Sequence, residues 1–90
     1  MVYARRSESL HHAEPTVHND GETTVSVGVR VHDDDVAVRL IVLDPGESTT
    51  VSAPPHSTVE VHTPDGSATA PASGSPLFVV RDGSVVVAPV

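Results

Sequence analysis

Residues Thr23 to Leu43 read TTVSVGVRVHDDDVAVRLIVL, two runs of alternating apolar residues around an acidic triplet. Side chains of a strand alternate between faces with a period of two, so Val25, Val27, Val29 and Val31 share one face and Ser26, Gly28 and Arg30 the other. After His32 and Asp33-Asp34-Asp35 the alternation resumes with Val36, Val38, Leu40 and Val42. The pattern predicts a β-hairpin with one buried face. Ile41 and Leu43 add apolar side chains on the opposite face, which predicts cover on both faces towards the end of the second strand. Gly28 has no side chain to pack, and in mid-strand it marks a bulge or the close approach of another backbone.

Further strands follow on both sides of this hairpin. Upstream, Thr16-Val17-His18 is a short strand closed by the turn Asn19-Asp20-Gly21. Downstream, Asp44-Pro45-Gly46 has Pro pre-set for the first central turn position and Gly for the positive φ that follows. Ser48 to Ala53 reads as an edge strand stopped by Pro54-Pro55, and Ser57 to Thr63 as a strand with Val59 and Val61 facing in. Pro64-Asp65-Gly66 turns the chain into a weak strand over Ser67 to Ala70, and Pro71 to Pro76 is a loop. Leu77-Phe78-Val79-Val80 and Ser84-Val85-Val86-Val87 flank Arg81-Asp82-Gly83, an Asp-Gly hairpin whose apolar runs predict a place in mid-sheet or against a partner chain. Short strands at roughly 8- to 12-residue spacing signal a sandwich or barrel.

The composition agrees. Val dominates the apolar set, Trp is absent and the aromatics are Tyr3 and Phe78. Val is stiff at χ1 and suits a pleated surface, so the fold class is all-β: a small Greek-key β-sandwich of seven or eight short antiparallel strands with a Val-rich core. Ninety residues form one domain, divided into a polar N-terminal arm over 1–14 and a single sandwich over 15–90. With no Cys, neither disulfides nor Cys-based zinc sites can staple it.

Twelve acidic residues stand against five basic ones, all of them Arg, for a formal net charge of −7. Acidity without Lys points to a salt-loving organism, where screening relieves repulsion among carboxylates, with a merely acidic domain of a high-GC genome as the alternative. The same charge argues against nucleic acid as a partner, because phosphate neutralisation needs clustered cations and only Arg5-Arg6 is a basic pair. No apolar run follows that pair and no window is long enough to insert in a membrane, so the expected location is cytoplasmic, with a surface or virion assembly left open.

The segments Val17-His18-Asn19-Asp20-Gly21, the Val-x-Val-x-Val strand, Leu43-Asp44-Pro45-Gly46-Glu47-Ser48, Thr58-Val59-Glu60-Val61 and Asp65-Gly66 form a recurring pattern. From Pro15 to Ala70 it resembles small immunoglobulin-like or cupredoxin-like β-sandwich modules of halophilic archaeal proteins. The resemblance implies a Greek-key sandwich without catalytic residues that serves interaction or structure. The chain departs from secreted members in showing no signal peptide or lipidation Cys.

Six His residues offer metal-binding imidazoles, and His11, His12 and His18, with Glu14 nearby, are the candidate metal ligands for Zn or Cu. No helical His pair supports them, and a blue-copper centre is excluded for want of a Cys thiolate. The triplet Asp33-Asp34-Asp35 lacks the offsets of a calcium loop and reads as a solvated hairpin tip. No Gly-x-Ser-x-Gly elbow, phosphate-cradling loop or cofactor motif occurs. The expectation is a non-enzymatic module without cofactors that binds a protein partner or itself, with a His-based metal-binding protein as the alternative. The residues expected to carry the interaction are Leu77, Phe78, Val80, Val85 and Val87.

Overall fold

A computed structural model describes residues 13–32 and 36–88. The chain is all-β, and its eight strands are β1 (Thr16–Asn19), β2 (Val25–His32), β3 (Val36–Leu43), β4 (Ser48–Thr50), β5 (Thr58–Thr63), β6 (Gly66–Pro71), β7 (Leu77–Arg81) and β8 (Ser84–Val87). They form two four-stranded sheets, ordered β4-β1-β7-β8 and β3-β2-β5-β6, in a sandwich-like arrangement. The turns behave as their residues dictate. Gly46 has φ +81° and Glu47 N–H donates to the Asp44 carbonyl at 2.9 Å, closing the Pro-Gly turn. Asp82 and Gly83 both have positive φ, the requirement of a two-residue type I′ hairpin between β7 and β8.

The sandwich is not antiparallel throughout, as the turn signals had implied. β1 pairs with β4 antiparallel but with β7 in parallel, Val17 opposite Phe78. Every turn signal concerns neighbours in sequence, whereas β1 and β7 meet only after the intervening strands have been laid down, and such a pair is free to run parallel. The folded body also takes in Ala13, which is buried and exchanges backbone hydrogen bonds with Ala53.

Val17, Phe78, Val80 and Val85 from one sheet and Val27, Val29, Leu43, Val59 and Val61 from the other fill the core. Val29 stands opposite Val61 and Val31 opposite Val59, so β2 lies between β3 and β5 with its odd-numbered residues turned inwards. The phase of β3 departs from the sequence expectation. Val25 pairs with Leu43 and His32 with Val36, so odd residues face odd residues across the hairpin. Ile41 and Leu43 therefore share the inner face with Val27 and Val25, while Val38, Leu40 and Val42 lie on the outer face and are 58 %, 81 % and 63 % exposed. Three residues separate His32 from Val36; a two-residue separation would have placed both valine runs on one face, and a change of one residue in strand register exchanges the faces.

One buried polar side chain holds this phase. Asn19, at the end of β1, is 2 % exposed and donates from Nδ2 to the carbonyls of Leu43 at 3.0 Å and Thr23 at 2.8 Å. Its Oδ1 accepts from Gly21 N–H at 2.9 Å, and its own backbone bonds Glu47 and Gly46. Both amide donors are used, so the buried group is well satisfied and ties one sheet to the end of β3 in the other. Replacing Asn19 by Ala leaves those carbonyls without their donors. Asn19→Ala is expected to lower unfolding stability by about 2–4 kcal/mol in a denaturant titration, and a loss under 1 kcal/mol contradicts the role given to it here.

Candidate interaction surface

The outer face of the β3-β2-β5-β6 sheet is built from the even-numbered residues of its first three strands. Pairing sets Ser26 beside Val42, Gly28 between Leu40 and His62, and Arg30 between Val38 and Glu60. The row Val38, Leu40, Val42 runs along β3, and beside it Glu60 lies 4.0 Å from Arg30 Nη1 and 3.5 Å from His32 Nε2. These groups are partly exposed, so the Arg30–Glu60 pair contributes about 0–1 kcal/mol, and the three side chains keep β2 and β5 polar.

Gly28 is explained by His62. A Cβ placed on Gly28 would fall 2.5 Å from both Cε1 and Nε2 of the imidazole. The Cε1–Nε2 edge of the ring therefore occupies the space over the bare backbone of β2, with Nε2 buried and without a hydrogen-bond partner. What approaches Gly28 is a side chain, not the backbone that the isolated glycine had signalled. Ser26, Leu40, Thr63 and Pro64 complete an open hollow of about 290 Å³ around Gly28 and His62. Its wall is mostly apolar, so the hollow extends the β3 row towards β5 instead of offering a polar site.

The terminal hairpin lies in mid-sheet with one of its two strands. Of its anticipated interaction residues, Phe78, Val80 and Val85 are buried in the core, while Leu77 and Val87 are exposed, at 38 % and 37 %. β7 is central, as its apolar run implied, but β8 is an edge strand. On the outer side Val79 pairs with Val86, and with Arg81, Asp82, Ser84 and Val87 they bound an open hollow of about 650 Å³. An apolar surface exists here too, carried by neighbours of the anticipated residues more than by those residues themselves.

His11 and His12 lie outside the described residues, as does the acidic tip Asp33–Asp35. His18 is on β1 with Nδ1 2.6 Å from Ser48 Oγ on β4. Among the described residues no three His, Asp or Glu side chains are grouped to hold a metal ion. No described helix is long and apolar enough to cross a membrane. No protein-family model, curated protein or solved structure shows a significant match to the chain. The site must therefore be read from its own residues.

Gly28 and His62 provide a direct check on this face. Because φ at Gly28 is not positive, Ala is acceptable to the backbone and the only obstacle is the imidazole. Gly28→Ala is expected to destabilise the protein by about 1 kcal/mol with His62 present and to be neutral or stabilising in a His62→Ala background. Equal effects in both backgrounds, measured by thermal or chemical unfolding, contradict the contact.

Proposed function

We propose that the chain is a non-enzymatic protein-interaction module whose docking element is the outer row Val38, Leu40 and Val42 of strand β3. The observation that carries this reading is the exposure of three large aliphatic side chains at successive positions of one face, Leu40 at 81 %. Single exposed apolar residues are ordinary on protein surfaces, but a contiguous row of them marks an interaction site. The choice of face reinforces the point. The alternative hairpin phase would have turned Val38, Leu40 and Val42 inwards in place of Ile41 and Leu43, burying more aliphatic surface within the chain itself. The adopted phase instead reserves that surface for the outside.

The finer description belongs to the same proposal: an immunoglobulin-like, Greek-key module adapted to high salt. Its support is the pairing of non-consecutive strands, β2 with β5 and β1 with β7, together with a Lys-free chain of formal charge −7.

The test uses the intact domain immobilised on beads and exposed to an extract of the cells it comes from. Leu40→Arg combined with Val42→Thr changes only exposed positions, so the melting temperature is expected to stay within the range of ordinary surface substitutions, about ±0.5 kcal/mol. Specific protein retention is expected to fall at least roughly tenfold in the variant, a loss of about 1.4 kcal/mol of binding. Retention unaffected by the substitutions, or no retention by the parent domain, contradicts the proposal.

A further inference from the structure

Strand β3 has the sequence of a central strand and the position of an edge. Val36 to Leu43 carries seven apolar residues and one charge, Arg39. It ends the β3-β2-β5-β6 sheet, so one side of its backbone has no strand partner among the described residues. The other three sheet edges carry features that suppress edge pairing. β4 is three residues long with Pro54 downstream, β6 consists of small side chains and ends at Pro71, and β8 is four residues long. β3 is eight residues long, has no Pro and pairs with β2 in unbroken register.

Charge marks this edge as well. Asp33, Asp34 and Asp35 precede β3 in the chain, and Asp44 and Glu47, both exposed, follow it. Arg39 lies between these acidic ends, in phase with the inner-face residues of the strand, and is also exposed. Beside the aliphatic row Val38, Leu40 and Val42, the edge therefore reads negative, positive, negative along its length.

We infer that β3 takes an extended segment of another protein as an added strand, basic at both ends and with a carboxylate between them, opposite Arg39. The inference rests on β3 being the docking element and adds the chemistry of what occupies it. Strand addition supplies backbone hydrogen bonds along the open edge and leaves specificity to alternate side chains. Residues directly opposite one another share a face, so apolar residues beside Val38, Leu40 and Val42 continue the outer row. The residue beside Arg39 falls on the other face, where a cross-strand carboxylate pairs with the guanidinium. Both ends of β3 are acidic, so the occupant needs Lys or Arg at both of its ends whichever way it runs. The formal charge of −7 steers such a segment towards the domain. A second copy of the chain does not meet this requirement, because two β3 strands set side by side bring carboxylates together at each end. The chain's own opening residues do not meet it either: their one carboxylate, Glu8, stands between Ser7 and Ser9 instead of between apolar residues.

Fluorescence anisotropy of the full chain with labelled synthetic peptides tests the inference. The probe has about ten residues, enough to span β3, with valine at alternate positions and arginine at both ends. Glutamate stands at its centre between two valines, and threonine fills the remaining positions. It is expected to bind at least roughly tenfold more tightly than a shuffled peptide with contiguous valines and central arginines. Its Kd is expected to rise roughly tenfold between about 0.1 M and 1 M NaCl. N-methylation of one alternate set of its amides should abolish binding and of the other set leave it unchanged, since only one set faces β3. Arg39→Glu changes an exposed position, and its melting temperature checks that the fold is kept. That variant is expected to weaken the glutamate-centred peptide roughly fivefold and to prefer a lysine-centred one, with Arg39→Gln preferring neither. Binding no tighter than that of the shuffled peptide, an unchanged preference in Arg39→Glu, or equal loss from both N-methylated sets overturns the inference. A dimer of the unmodified chain in sedimentation that the peptide does not dissociate overturns it too. If the peptide fails while Leu40→Arg with Val42→Thr still releases a protein retained from extract, β3 remains the docking element and its occupant is not an added basic strand.

Discussion

The hydrogen bond from Asn19 Nδ2 to the Leu43 carbonyl is the contact on which the arrangement of this protein turns. It joins the end of β1 in one sheet to the end of β3 in the other, inside the core, where an unmet carbonyl would cost about 1–3 kcal/mol. With the Leu43 backbone held and its side chain buried, the phase of β3 is determined, because side chains alternate without exception along a regular strand. Ile41 then joins Leu43 inside, and Val42, Leu40 and Val38 must point out. The outer row is thus a consequence of how the inner end of the strand is anchored.

That consequence carries an energetic tension. Burial of aliphatic surface is the main favourable term in folding a small domain, and this one has a single aromatic residue, Phe78, in its described core. Leaving three aliphatic side chains largely in water at the edge of a sheet forgoes about 1.5 kcal/mol or more for each. Elsewhere on the same face the chain behaves as an exposed sheet should: Arg30, His32 and Glu60 keep β2 and β5 polar, and Gly28 accommodates the His62 ring.

Much of the architecture is legible in the residues. The strand Val36–Leu43 and the turns at Pro45-Gly46 and Asp82-Gly83 follow from alternation and from backbone chemistry, both of which are local. Three features are not. The phase of β3 depends on whether two or three residues of an all-Asp segment are left unpaired, and an aspartate run does not distinguish the cases. Asn19 looks like a turn residue beside Asp20-Gly21, and only the tertiary fold shows its side chain spanning to Leu43, 24 positions away. The reason for Gly28 lies on β5, whose pairing with β2 is a long-range event that no local pattern encodes. The nearly continuous apolar runs of the terminal hairpin fill this domain's own core with Phe78, Val80 and Val85, one of the two places that such runs imply.

The central claim is that Val38, Leu40 and Val42 of β3 face outwards. Methyl and ring NOEs in solution test it most directly. The account predicts contacts from the Leu40 methyls to the His62 ring and from the Ile41 methyls to Val27, with none from Leu40 to Val27 or Val29. Contacts from Leu40 to the Val27 or Val29 methyls would contradict it, because they would place the apolar row in the core and leave β3 with no surface to offer.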